Sequence, residues 1–327
     1  MIRRSLRKLR SMLRRFRLWL GANLNRRSPA ADQAAPQPPS PPAERDRSVL
    51  EGQRIAIIAI VKNEAPYLLE WIAYHRVIGI NDLYISDDGS NDGTEELLQK
   101  LADSSIIRRL PPPPTEANRQ LAVYKSAMDS HRNEFDWVAF TDVDEFILPD
   151  APTLKQALSP LLLSRDVGAI GFNWATYGSS GLELAGPQPV IERFGSRGPV
   201  DWSVNQHMKV LVRSDAFRSV GKNPHYFELN SGYAAVHPDG TSINYGIVPG
   251  LSSVVIWDRV RINHYVIKSR REFIEKKMYR GRADRVEVAK DMSYFDGHDR
   301  NDESDPIRSE LLSMTKEEVA RIESAIG

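Results

Sequence analysis

The chain has 327 residues, 41% of them hydrophobic, enough for one large core with appendages. It contains no cysteine, which excludes disulfides, thiolate chemistry and Cys-based zinc sites, and no run of about 20 apolar residues offers a membrane-spanning helix. The net charge of +1 hides an asymmetry: residues 1–27 carry ten Lys and Arg and no acid, leaving 34 of the 44 basic side chains against all 43 acidic ones. An acidic body argues against a nucleic-acid partner, and a basic arm argues for an anionic surface.

In chain order, Ile2, Leu6, Leu9, Leu13, Phe16 and Leu20 recur at spacings of four and three, one stripe of an amphipathic helix over residues 1–24. Arg3, Arg4, Arg7, Lys8, Arg10, Arg14, Arg15 and Arg17 fill most other positions, which suits the headgroups of an anionic membrane. A disordered arm, a partner-binding helix and a targeting peptide are the competing readings. No uninterrupted apolar stretch follows the charges, which argues against a secretory signal. With the absence of Cys, this gives the expected location as cytoplasmic, peripheral at the inner membrane face. Pro36, Pro38, Pro39, Pro41 and Pro42 mark a Pro/Ala-rich linker, taken as residues 28–53, and the globular part is expected from Arg54.

Ile55 to Val61 is a continuous apolar run, the pattern of a buried parallel strand. A helix is predicted from Tyr67 to Val77 with Pro66 at its start and Gly79 after its end. A strand at Leu83 to Ser86, a helix at Thr94 to Leu101, a strand at Ile106 to Leu110, a helix at Asn118 to Arg132 and a strand at Trp137 to Thr141 follow. This alternation predicts an α/β fold with a central, mostly parallel sheet flanked by helices. Beyond Pro149 short strands are predicted at Ala169 to Trp174, Val190 to Phe194, Val210 to Arg213 and Val260 to Ile267. Ser269 opens a helix to Arg280 with Glu272 completing a capping box, and Ile307 to Ile326 reads as a polar helix. The expected divisions are 54–149, a smaller mixed region at 150–290, and a helical tail at 291–327.

Three polar motifs follow strands. An apolar strand delivers Asp142 and Asp144 to the carboxyl edge of the sheet, where ligands of parallel α/β proteins sit. Alternate residues of an extended chain share a side, so both carboxylates are expected to face one hard divalent cation, manganese or magnesium. Asp87 and Asp88 follow the second strand and suit a base or ribose, while Asn91, Asp92 and Gly93 read as turn residues. Lys62, Asn63 and Glu64 follow the first strand, with Lys62 suited to phosphate and Glu64 to a nucleoside.

Ile60-Val61-Lys62-Asn63-Glu64, the run from Asp87 to Thr94, and Asp142 to Phe146 occur in that order. With Asn173-Trp174, Gly178 to Gly181, Pro189 to Phe194, Lys209 to Arg213 and Asn263-His264-Tyr265, they resemble the family 2-like glycosyltransferases, in the branch grouped with family 92. The resemblance covers roughly Arg54 to Arg285. It implies a GT-A fold, a nucleotide-diphosphate-sugar donor bound by the 54–149 half, a carbohydrate-bearing acceptor bound by 150–290, and inversion at the anomeric carbon. Carried over by position, Asp87 or Asp88 contacts the nucleoside, and Asp142 and Asp144 handle metal and diphosphate. The late Gln-x-x-Arg-Trp motif of processive relatives is absent, which argues against a polymerase.

His264 is read either as a third metal ligand or as a buried hydrogen-bonded histidine. Lys268 and Arg271 are placed to neutralise the leaving diphosphate, and Gly178 to Gly181 to form a tight loop near acceptor or diphosphate. An inverting transfer needs a base for the acceptor hydroxyl. Glu183, Glu192, Asp201, His207, His225 and Glu228 are candidates, and spacing selects none. Two other readings are a sugar nucleotidylyltransferase, against which stands the lack of a Gly-rich basic loop after the first strand, and a catalytically silent carbohydrate-binding protein.

Overall fold

The structure is a computed structural model and describes residues 44–114, 118–246, 248–278 and 290–327. The helix expected over 1–24 lies outside the described residues. The described chain begins with helix α1 (Glu44–Gly52), then strand β1 (Ile55–Val61), α2 (Ala65–Val77), β2 (Asp82–Asp87), α3 (Thr94–Asp103), β3 (Arg108–Arg109), α4 (Arg119–His131) and β4 (Trp137–Phe140). The linker expected to run to residue 53 is corrected: α1 occupies its last part, and Leu50 is buried in the core. β1 reads as a solid apolar run because both of its faces are covered. Ile55, Ile57, Ala59 and Val61 enter one hydrophobic cluster, and Ala56 and Ile58 enter the other. α2 starts at a proline in its first turn, and its chain leaves through Gly79 at φ +93°, a conformation that favours glycine. Trp71, Ile72 and Tyr74 on this helix are fully buried, each such side chain contributing roughly 1.5–3 kcal/mol by leaving water.

The second half adds β5 (Glu145–Pro149), α5 (Leu154–Leu162), β6 (Val167–Thr176), α6 (Val190–Arg193), β7 (Ser196–Arg197), β8 (Met208–Arg213), β9 (Phe217–Val220), β10 (Phe227–Leu229), β11 (Ala234–Val236), β12 (Val260–His264), α7 (Arg270–Lys276), α8 (Met292–His298), β13 (Glu303–Ser304) and α9 (Ser309–Ile326). The capping box expected at Ser269 and Glu272 is present. Among the elements that escaped the sequence pattern are strand β5, which the acidic motif runs straight into, and α5, which opens on its own Thr153–Gln156 capping box. The strand expected at Val190 to Phe194 is corrected to a single helical turn. There the buried Glu70 carboxylate accepts the Val190 and Ile191 N–H groups at 2.7 and 2.9 Å, satisfying helix-start donors that a strand would have given to a neighbour.

Among the described residues, one nine-stranded sheet has the order β3-β2-β1-β4-β8-β6-β12-β5, with β11 also beside β6. β1 pairs in parallel with β2 and β4, β2 with β3, and β6 with β11 and β12. β8 runs antiparallel between β4 and β6, and β5 antiparallel to β12. The sheet is thus mostly parallel, as expected. β6 and β12 point the same way as β1 and β4, so all their carboxyl ends reach one edge, and β5 starts from that edge. α9 packs on α2, with Arg76 and Glu318 joined at 2.7 Å.

Candidate functional site

The carboxyl ends of these strands border a cleft of about 920 Å³. Lys62 and Glu64 come from the exit of β1, Asp88 from β2, Asp142 and Asp144 from β4, and His264 from β12. Arg119, Gln120, Trp174, His207, His225 and Lys277 also line it.

Asp142 to Glu145 is a tight turn, closed by Glu145 N–H donating to Asp142 O at 3.0 Å. The extended geometry expected for Asp142 and Asp144 is therefore corrected, and the turn sends the two carboxylates to different partners. Asp142 accepts from Gln120 Nε2 and from Lys209 Nζ, both at 2.9 Å. Lys209 is 1% exposed and lies 3.2 Å from Glu145 Oε2, which also accepts the Asp142 N–H at 2.9 Å. Burial pushes Glu145 up to about 8 against the pull of the Lys209 ammonium, and its second oxygen is buried without a hydrogen-bond partner. Asp144 instead meets the Lys277 ammonium through Oδ2, and its Oδ1 lies 3.8 Å from His264 Nε2. Burial works against the Asp144 charge, yet the Lys277 and Lys268 ammoniums hold this carboxyl well below its usual range. Burial likewise lowers His264 and keeps it neutral, with Nδ1 lacking a partner.

Of the three metal ligands expected from sequence, the turn brings Asp144 and His264 together and gives Asp142 to Lys209. No three His, Asp or Glu side chains among the described residues are grouped to hold a metal. Asp144 and His264 fit a divalent cation that takes its other ligands from a bound molecule: an ionised carboxylate and a neutral imidazole face one another beside the cleft. Magnesium in particular is commonly held by one or two carboxylates plus substrate phosphates.

The upstream motifs divide between structure and site. Asp87 caps its own turn, accepting the Gly89 and Ser90 N–H groups at 2.9 Å each, while Asp88 lines the cleft. Asp88 faces Arg119 and, at 3.9 Å, Lys62. Asn63, expected at the donor, sits at φ +56° and ties two loops together, its N–H donating to Ser90 Oγ and its Oδ1 accepting from Asn91 N, each at 2.8 Å. Lys62 and Glu64 line the cleft, with Glu64 paired to Lys276. Lys268 is buried behind the wall, its Nζ 4.4 Å from the Tyr67 ring centre. Arg271 is exposed and paired with Glu275. Lys277 supplies the cleft-wall cation expected of those two. Gly178 and its loop do not reach the cleft wall. They pack on residues 299–301, where Ser179 N donates to Asp299 and Ser180 N to Asn301 at 2.7 and 2.8 Å.

Among the base candidates, Glu183 faces Arg270 at 3.9 Å, Glu192 pairs with Lys316, Asp201 is exposed on a turn, and Glu228 is held by Arg218 and Ser219 on the β9–β10 hairpin. His207 and His225 are the two that line the cleft. Trp174 stacks on His207 at 4.6 Å and stands between His225 at 5.4 Å and His264 at 4.1 Å. His225 Nδ1 lies 2.8 Å from Met208 O, which can only accept. That contact puts a proton on Nδ1, and His207 stands the same way, its Nδ1 2.9 Å from Val204 O. Sequence reasoning missed Gln120, Lys209 and Lys277 as site residues. Lys209 had a signal, since it shares its phase on β8 with the core residue Leu211, an inward position where an unpaired lysine is excluded.

Residues 55–245 match the model of glycosyltransferase family 92. A glycosyltransferase family 92 protein of Oryza sativa subsp. japonica is 28% identical over 187 residues, covering 56% of this chain and 31% of the relative. One from Arabidopsis thaliana is 28% identical over 189 residues, covering 54% and 32%. The chain thus spans about a third of the length of these relatives. Among solved structures, glucosyl-3-phosphoglycerate synthase from Mycobacterium tuberculosis with Mn2+, uridine-diphosphate-glucose and phosphoglyceric acid is 14% identical, with a TM-score of 0.36 over 64% of this chain and 79% of that one.

Proposed function

Because this chain belongs to glycosyltransferase family 92, we propose that it moves a hexose-like sugar from a nucleoside-diphosphate donor to a carbohydrate-bearing acceptor, with inversion, on a GT-A-type sheet edge. The observation that carries this reading is the shared edge, where the exits of β1, β2 and β4 put Lys62, Glu64, Asp88, Asp142 and Asp144 around one cleft, with Arg119 and Lys277 interleaved. Asp88 takes the nucleoside side. Asp142, pinned by Lys209 and Gln120, faces the donor beyond it. A divalent cation bound at Asp144 and His264 would neutralise diphosphate charge as the leaving group departs. Of the two histidines that line the cleft, His225 takes the acceptor hydroxyl's proton during attack. Arg119 and Lys62 balance the charge at Asp88.

The test is a panel of nucleotide sugars with manganese, scored by free nucleoside diphosphate. Release that disappears in Asp144→Ala supports the reading, and no release from any donor with no metal-dependent nucleotide binding would sink it. The basic stripe of residues 1–24 supports peripheral attachment to an anionic membrane at the cytoplasmic face. Deleting residues 1–27 should release the protein from anionic liposomes, and unchanged binding would remove that segment as the anchor.

A further inference from the structure

Three lysines converge on two of the carboxylates that the donor reading needs. Lys276 pairs with Glu64 and Lys277 with Asp144, and these side chains are 12% and 17% exposed. Lys268, 3% exposed, shares the Tyr67 ring with Lys276, their Nζ atoms 4.4 and 4.1 Å from its centre. The nearby acid Glu272 is already committed, taking two bonds from Arg193 at 2.8 and 2.9 Å and one from Tyr67 at 3.0 Å. Lys277 is thus the cation that holds Asp144 in a half-buried place, with Lys276 and Lys268 beside it. Placing a divalent cation on Asp144 would set it against Lys277 on one carboxylate, a repulsion strengthened by the low local dielectric. A diphosphate, with two or three negative charges, is the group that relieves it.

Resting on the donor reading above, we propose that Lys277 is the resident counter-ion of Asp144 in the donor-free protein, and that it transfers to the donor's diphosphate when a divalent cation takes Asp144. In the transfer, the bond from the anomeric carbon to the diphosphate oxygen breaks and its electron pair stays on that oxygen, beside the Lys277 ammonium. The acceptor oxygen bonds the anomeric carbon, and its proton passes to His225 Nε2. Lys277 thereby acts twice, competing with the cation before the donor arrives and stabilising the leaving group afterwards. The two roles give its removal opposite signs: tighter cation binding without donor, and slower transfer with it.

The experiment is Mn2+ binding to the donor-free full chain, read from the spin-resonance signal of free Mn2+, for wild type, Lys277→Met, Lys277→Arg and Asp144→Asn, alongside nucleoside diphosphate release. Lys277→Met is expected to bind Mn2+ about tenfold more tightly and to turn over about 100-fold more slowly. Lys277→Arg, which keeps the charge, is expected to bind Mn2+ as wild type does and thus separates loss of charge from loss of fold. Equal or weaker Mn2+ binding in Lys277→Met, with binding still lost in Asp144→Asn, would overturn the counter-ion role and leave the donor reading standing. Mn2+ binding that is absent, or indifferent to Asp144→Asn, would overturn the metal part of the donor reading and this inference with it.

Discussion

β1, β2 and β4 all run in one direction and each ends in a short polar segment at the same edge, whereas the opposite wall of the cleft is assembled from single residues far apart in the chain: Trp174, His207, His225, His264 and Lys277. The first wall is a consequence of parallel topology, since each strand exit lands beside the last one and its site residues follow an apolar run. On the second wall His207 enters at the start of β8, which runs against its neighbours, while Trp174 and His264 come from β6 and β12 late in the chain, so residues separated by many tens of positions meet without any local pattern. Function on the parallel wall is written as motifs, and on the other wall as contacts.

The comparison breaks most visibly at His225. If the second wall holds the base, His225→Ala should lower transfer about 100-fold to 10,000-fold while leaving Mn2+-dependent nucleotide binding in place, as rate and calorimetry measured on the same preparation would show. A parallel loss of binding would move His225 to the structural side of the ledger.

Lys209 joins the two walls, since it reaches from β8 to the Asp142–Glu145 turn. Lys209→Met leaves the buried Glu145 and its neighbour Asp142 without their shared ammonium, and should cost about 3–5 kcal/mol in urea unfolding. The double variant with Glu145→Gln should differ little from the single one, because burial pushes Glu145 up to about 8 and without the ammonium it keeps its proton.

The core beneath the parallel wall has its own signature. His75 is fully buried, its Nδ1 2.8 Å from Trp71 O and its Nε2 accepting from Ile147 N at 3.4 Å, an arrangement that needs the neutral ring. Burial lowers it from 6.5 to about 3, against the Trp71 hydrogen bond. The folded value lies below the unfolded one, so the contribution is whole above about pH 6.5 and is lost progressively as pH falls toward 3. Urea midpoints measured across that window should fall with acid, and His75→Asn should flatten the dependence.

The smallest effect belongs to the Gly178 loop. A Cβ there would meet Asn301 Oδ1 at 2.4 Å and Arg300 O at 2.5 Å, so Gly178→Ala should cost about 1–3 kcal/mol in stability and leave nucleotide affinity unchanged. A lost affinity would return this loop to the site.

How much was legible follows the same division. Ile55 to Val61 could be read because covering both faces of a strand demands an unbroken apolar run. The place of Asp142 and Asp144 could be read for the same reason, but their conformation could not: the turn is fixed by Glu145 N–H and by Lys209, 64 residues beyond Glu145. Val190 and Ile191 carry β-branched side chains and read as strand, yet Glu70, remote in sequence, captures their N–H groups and winds them into a turn of helix. Asp87 and Asn63 have the chemistry of ligands and are spent on their own loops. Lys277 was visible as a helix residue and carried no sign of the carboxylate it meets.

The proposed sharing of one nucleotide-binding cleft by Asp88 and Asp144 is tested most directly by calorimetry with nucleoside diphosphates and manganese on wild type, Asp88→Ala, Asp144→Ala and, as a variant away from the cleft, Glu228→Ala. Binding should be retained in wild type and Glu228→Ala and weakened at least about tenfold in each of the other two. Equal affinity in all four proteins, or none in wild type for any base, would contradict it.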